Sequence, residues 1–172
     1  MFAPNYHSAM KHAAPVRREL GVKTLFNILG PLTNPAGAKK QVLGVFSVDL
    51  VETLAHVLQR LGSQHVLIVH GSDGLDEITI TGKTHIGELK NDTIQSYTIQ
   101  PEDFGFQSAP IQGIQVNDAE HAKTMLLSVL KNKSGAARDV VILNAGAAIY
   151  VAGVVDNLAA GITTAQKTIE SG

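Results

Sequence analysis

His65-Val66-Leu67-Ile68-Val69-His70-Gly71-Ser72-Asp73-Gly74-Leu75-Asp76-Glu77 is the stretch on which the fold turns. Four consecutive aliphatic residues bounded by turn formers read as a strand buried on both faces, and Gly71 to Gly74 as the loop leaving its carboxyl end. Open α/β sheets place ligands at that edge. The adjacent carboxylates Asp76 and Glu77 are therefore well placed to hold Mg²⁺, which favours a few carboxylates, water and substrate phosphate. A solvated acidic turn accounts for the same residues, because so short an acidic pattern is weak evidence alone.

Upstream, Gln41 to Phe46 reads as a second short strand, with Ser47 or Asp49 as the cap of a following helix. Leu50, Leu54, Val57, Leu58 and Leu61 fall on one helical face and Gly62 is the stop. Strand, helix and strand in this order call for a parallel pair with a right-handed crossover. Downstream, residues 77–80, 84–89 and 94–99 alternate in polarity around Gly82 and Asn91-Asp92, which predicts half-buried antiparallel strands. Pro101 to Gly105 is a turn.

Asn117 with Glu120 resembles a capping box opening a helix whose face is Ala122, Met125, Leu126, Val129 and Leu130, closed by Gly135. Residues 139–154 could begin as a strand, but their length and alanines favour a buried helix. Asn144 within it is read as a satisfied packing contact. A last helix spans about 157–170, with Leu158, Ile162, Ala165 and Ile169 on one face. At the other end, residues 8–20 read as a helix interrupted by Pro15, and residues 24–37 as a loop with few regular hydrogen bonds.

Composition bounds the rest. The chain has 172 residues, 44% hydrophobic and 17% charged, which suits one ordered domain or one large lobe with a core. Lys and Arg number 14 against 15 Asp and Glu, so no basic footprint for nucleic acid or an anionic membrane is present. Without cysteine, disulfides, thiolate catalysis and cysteine-held metals are excluded, which is compatible with a cytoplasmic home. Met1 to Asn5 lacks the basic flank of a signal peptide. The apolar run from Val140 to Val155 is shorter than the ~20 residues of a membrane helix.

Five segments together resemble the anthranilate phosphoribosyltransferases: Phe2-Ala3-Pro4-Asn5-Tyr6-His7-Ser8-Ala9-Met10-Lys11 running on to Gly21; Lys23-Thr24-Leu25-Phe26-Asn27-Ile28-Leu29-Gly30-Pro31-Leu32-Thr33-Asn34-Pro35; Val69-His70-Gly71 through Glu77; Asp103-Phe104-Gly105; and Leu143-Asn144-Ala145. They span nearly the whole chain in the family's order. The resemblance implies a nucleoside phosphorylase/phosphoribosyltransferase-like catalytic domain, with a mainly parallel sheet flanked by helices and an antiparallel excursion. It also implies transfer of a phosphoribosyl group from phosphoribosyl pyrophosphate to anthranilate, in tryptophan biosynthesis, by a cytoplasmic homodimer using Mg²⁺.

By the same resemblance, Arg17 grips the anthranilate carboxylate, since a planar guanidinium matches it with two parallel bonds. His7 lines the substrate channel, and Gly30 and Pro31 shape a slot for the benzene ring. Asp76 and Glu77 hold the metal, Asp73 stands beside them in a supporting or turn role, and no residue is assigned as acid or base. The family's small helical domain, its glycine-rich phosphate loop and its Lys-His-Gly-Asn-Arg segment are not in this sequence. Residues 1–172 are therefore expected to be one portion of the α/β domain, with an inactive fragment as one alternative and a nucleic-acid-binding relative as another. Pyrimidine nucleoside phosphorylase shares the fold, but the segments at Asn27 to Pro35 and Asp73 to Glu77 speak against it.

Overall fold

A computed structural model describes residues 15, 19, 21, 26–34 and 36–172. The chain divides into two compact units, Met1–Ala38 and Lys39–Gly172. Of the expected helix over 8–20, only Pro15 and Glu19 are described, and both are helical; the other positions lie outside the described residues.

In the first unit, Phe26–Leu32 forms helix α1 where the sequence suggested an irregular loop. Pro31 is its penultimate residue, so its missing N–H forfeits a single helical bond rather than breaking the element. Thr33 closes the helix: its N–H and its hydroxyl both donate to Leu29 O, at 3.0 and 2.8 Å.

The second unit is a mixed four-stranded sheet in the order β1-β2-β3-β4, flanked by helices. β1 (Lys40–Gly44) runs parallel to β2 (His65–Gly71), with Lys40 opposite His65 and Gly44 opposite Val69. β3 (Thr84–Lys90) and β4 (Thr93–Ile99) continue antiparallel from β2. Asn91 and Asp92 turn between them with φ of 50° and 62°, as a two-residue hairpin requires.

Helix α2 (Asp49–Arg60) joins β1 to β2. It buries Val51, Leu54, Ala55 and Leu58, a face rotated from the expected one, and leaves Leu61 half exposed. Ala55 and Val51 are smaller than leucine and let the helix sit close to the sheet. At Gly87, on the sheet face below, a methyl would crowd Val51. Neither Ser47 nor Asp49 caps α2; Val48 holds that position without a side-chain bond.

The opposite sheet face carries the main core. Leu67, Val69, Ile86 and Ile99 pack there with Ile142, Leu143, Ala147 and Ile162. These last four come from α4 (Ala136–Ala152) and α5 (Leu158–Ser171). The apolar run near Asn144 is thus a core helix, and no helix among the described residues is long and apolar enough to cross a membrane. Asn157 caps α5 by accepting from Ala160 N at 2.9 Å.

Helix α3 (Ala119–Leu130) is capped by Asp118, which accepts from His121 N at 2.7 Å. The cap is one residue later than the Asn117-Glu120 spacing suggested, because Asp118 has the extended backbone a cap needs. Gly135 does not close α3; with φ of 145° it begins α4. Residues 78–80 are not a strand either. Ile78 and Ile80 are buried, but no neighbouring strand takes up the backbone there: Ile78 bonds to the Asn144 side chain, Thr79 N to the Thr84 hydroxyl, and Ile80 O accepts from Ala109 N. Pro101–Phe104 is a 3₁₀ turn ended by left-handed Gly105.

Candidate metal and substrate site

The loop that leaves β2 is shaped by its own side chains. Gly71 N donates to Leu75 O at 2.8 Å and Gly74 N to Gly71 O at 2.9 Å, with Gly74 at φ 89°, where a side chain would be strained. Asp73 staples the loop. Its Oδ1 accepts from Leu75 N at 3.0 Å, and its Oδ2 from the hydroxyls of Thr79 at 2.7 Å and Thr81 at 2.8 Å. Partial burial works to raise the Asp73 pKa, but these hydrogen bonds together outweigh it and hold the carboxyl below its usual range. With both oxygens occupied, Asp73 has a turn role, one of the two the sequence left open.

Asp76 and Glu77 follow on the same loop, both exposed. The loop backbone lies across the end of β1, and a methyl on Gly44 would overlap the Asp76 carbonyl oxygen. That close approach seats the two carboxylates over the carboxyl ends of the parallel pair. The Glu77 carboxyl is pushed above its usual range, first by partial desolvation against the adjoining wall and then by the negative charge of Asp76. Asp73 and Glu77 thus shift in opposite directions within four residues: one carboxylate is satisfied, the other is short of positive charge.

Two adjacent hard-oxygen donors, one of them repelled by the other, fit a divalent cation that fills its remaining positions with water and phosphate. No histidine or third acid joins them in a cluster among the described residues.

Beside Glu77 opens a cleft of about 590 Å³ between the loop, α3 and α4. Leu75, Met125, Leu126, Val129 and Val140 form its apolar wall and Asn144 one polar point. Asn144 bridges to the loop through Ile78, with the packing role the sequence suggested.

Of the other expected site residues, Gly30 and Pro31 lie on α1 in the first unit, Gly30 exposed and Pro31 half-buried. His7 and Arg17 lie outside the described residues. Sequence reasoning passed over Gly44, Thr79, Thr81 and Thr84. The alternation Thr79-x-Thr81, six and eight residues past Asp73, is the one local signal; Thr79 falls within the expected strand 77–80 and Thr81 just beyond it.

A second polar cluster lies at the opposite end of β2 and β3. Glu88 accepts from Tyr150 OH at 2.6 Å, from Tyr97 OH at 2.9 Å and from His65 Nε2 at 3.0 Å. Lys90 donates to Tyr150 OH at 3.1 Å and lies 4.6 Å from the centre of its ring. The cluster ties α4 to the sheet.

Residues 1–172 match the model of the glycosyl transferase family, a/b domain. Anthranilate phosphoribosyltransferase of Nitrosomonas eutropha is 66% identical over 172 residues, covering 100% of this chain and 50% of the relative. The crystal structure of the Thermus thermophilus anthranilate phosphoribosyltransferase superposes with a TM-score of 0.85 at 41% identity, covering 95% of this chain and 48% of that one. The Saccharomyces cerevisiae enzyme in complex with phosphoribosyl pyrophosphate and Mg superposes at 0.82 with 27% identity, covering 96% and 48%. The chain spans about half the length of the relatives it matches. By a family match that runs from its first residue to its last, over a mixed sheet with paired carboxylates at the strand ends, this chain belongs to the glycosyl transferase family through its α/β domain.

Proposed function

We propose that this chain is the metal-carboxylate portion of an anthranilate phosphoribosyltransferase, which joins phosphoribosyl pyrophosphate and anthranilate into N-(5-phosphoribosyl)anthranilate and pyrophosphate. The observation that carries the reading is the Asp76-Glu77 pair, held over Gly44 at the carboxyl ends of the parallel strands. Support comes from the 66% identity to a relative bearing that name, and from a structural neighbour holding phosphoribosyl pyrophosphate and Mg.

Asp76 and Glu77 would hold Mg²⁺, which when bound offsets charge on the pyrophosphate leaving group. Asp73, Thr79 and Thr81 keep the loop in shape, so that the carboxylates need not reorganise as charge develops. Arg17 takes the anthranilate carboxylate, His7 lines its channel, and Gly30 with Pro31 borders the ring. Departure of pyrophosphate leaves positive charge at the anomeric carbon, as in other glycosyl transfers. The aniline nitrogen is already nucleophilic, so the protein's work is alignment and charge stabilisation rather than proton removal. Residues 1–172 act as one α/β portion, and the whole protein works as a cytoplasmic homodimer.

The test follows anthranilate consumption by its fluorescence, with phosphoribosyl pyrophosphate and Mg²⁺. It uses the chain alone and the chain joined to the remaining half of the Nitrosomonas eutropha relative. Turnover by the joined protein, lost in Asp76→Asn with Glu77→Gln, is the expected result. The chain alone should turn over negligibly, since it brings no glycine-rich phosphate loop. A folded joined protein with no turnover, or with turnover untouched by the double substitution, would sink the reading.

A further inference from the structure

We propose that Asn144 is the positioning residue for the Asp76-Glu77 pair, its carboxamide setting the direction in which the two carboxylates leave the loop. The inference rests on the reading of that pair as a cation site. Ile78 follows Glu77 directly and is buried, yet it has no strand partner. Both of its backbone groups end on Asn144 instead: Ile78 N donates to Oδ1 at 3.0 Å and Nδ2 donates to Ile78 O at 2.8 Å. A single carboxamide thus stands in for one rung of a ladder. The Ile78 N–H belongs to the same peptide plane as the Glu77 carbonyl, so fixing it fixes the backbone angle that aims Glu77.

The carboxamide is itself fixed. Its second amide hydrogen goes to Val140 O at 2.9 Å, one turn back on α4, so both hydrogens and the oxygen are engaged. Most other bonds that shape the loop come from within the β2–β3 connection and β3, from Asp73, Thr79 and Thr84, and one comes from beyond β4, where Ala109 N donates to Ile80 O at 2.9 Å. Among the described residues, Asn144 is the side chain that ties it to α4, 66 residues along the chain. A leucine here would fill the space and leave both Ile78 groups buried and unpaired.

Linkage makes the idea testable, because a bond that positions the carboxylates for an ion must be strengthened by that ion. Hydrogen exchange at the Ile78 amide is followed by NMR on this chain, with and without Mg²⁺, and Mn²⁺ is titrated to broaden the Asp76 and Glu77 amide signals. In the wild-type chain, Mg²⁺ should slow exchange at Ile78 severalfold and leave the Leu158 and Ile162 amides unchanged. Asn144→Asp and Asn144→Ala, where folded by the signals of α5, should need at least about fivefold more Mn²⁺, the low end of ordinary coupling between sites. Wild-type exchange at Ile78 that ignores Mg²⁺ while Mn²⁺ still broadens Asp76 and Glu77 overturns the role of Asn144 alone. Absence of any selective broadening in the wild type overturns the cation site, and this inference with it.

Discussion

Gly44 and Asp76 are in direct backbone contact: any side chain on Gly44 would occupy the space of the Asp76 carbonyl oxygen. The obstructing atoms are backbone, so no rotamer change relieves the overlap, and the loop itself has to move.

Gly44→Ala is therefore expected to cost about 1–3 kcal/mol in stability, the usual range for overpacking a close contact. It should also raise the Mg²⁺ concentration needed for turnover in the joined protein. Urea melts and a Mg²⁺ titration check the two effects separately. A variant unchanged in both would mean that the loop does not rest on β1 in solution.

Glu77 has a raised pKa, so ionising it costs the fold something: its contribution favours the folded state at pH below its ordinary value of 4.5 and declines as pH rises through its elevated value. Glu77→Gln should accordingly melt at or slightly above the wild-type temperature at pH 7 without Mg²⁺. Adding Mg²⁺ should raise the wild-type melting temperature and leave the variant's unchanged. Scanning calorimetry on both chains, with and without the ion, decides it. A clear loss of stability in metal-free Glu77→Gln contradicts the electrostatic picture.

Asp73 behaves in the opposite sense. With its carboxyl held below the ordinary value of 3.8, its stabilisation is complete above that pH and is lost as pH falls through the lower folded value. Asp73→Ala should cost about 1 kcal/mol at pH 7, less than a fully buried charged hydrogen bond because the carboxyl is partly solvated. The gap between wild type and variant should shrink below pH 4. Acid unfolding followed by circular dichroism tests this; a gap independent of pH would show that packing, not the ionised carboxylate, holds the loop.

The cluster at the far end of the sheet predicts alkaline behaviour. Burial first, then the neighbouring Glu88 charge, pushes the Tyr97 hydroxyl far above its ordinary 10.0, and burial with the Glu88 hydrogen bond raises Tyr150 as well. A raised tyrosine stabilises the fold fully below its unfolded value, and that stability is lost as pH climbs above it. Absorbance at tyrosinate wavelengths should show Tyr97 ionising only together with unfolding and Tyr150 ionising above the ordinary tyrosine range. Glu88→Ala, which strands three donors, should cost about 3 kcal/mol without changing Mg²⁺ dependence. Reversible ionisation of both tyrosines in the folded chain would refute the arrangement.

Much of this was legible one residue at a time. The run from Val66 to Val69 announced a buried strand, because four aliphatic residues in succession leave no face for water. Asn91-Asp92 announced its hairpin and Gly62 its helix end, since each needs a backbone angle that few residues adopt. Helix ends and faces were less legible. Whether Asn117 or Asp118 caps α3 depends on a backbone angle that both residue types accept, and the buried stripe of α2 is chosen by the sheet beneath it. Residues 77–80 misled because alternation does not say what backbone groups bond to: Ile78, Thr79 and Ile80 are all buried, and Ile78 bonds to Asn144 rather than to a strand.

Local chemistry, then, was carried by the chain itself: the acidic pair, the glycine turn before it and the apolar strand that ends there are neighbours in sequence, and their physics acts over a few residues. The supports of that pair come from far along the chain. Gly44 beneath Asp76 and Asn144 beside Ile78 are brought in by strand pairing and helix packing, and no local pattern encodes a contact spanning 66 residues. Only the folding of β1 and α4 onto the same loop brings these two distant contacts to the acidic pair.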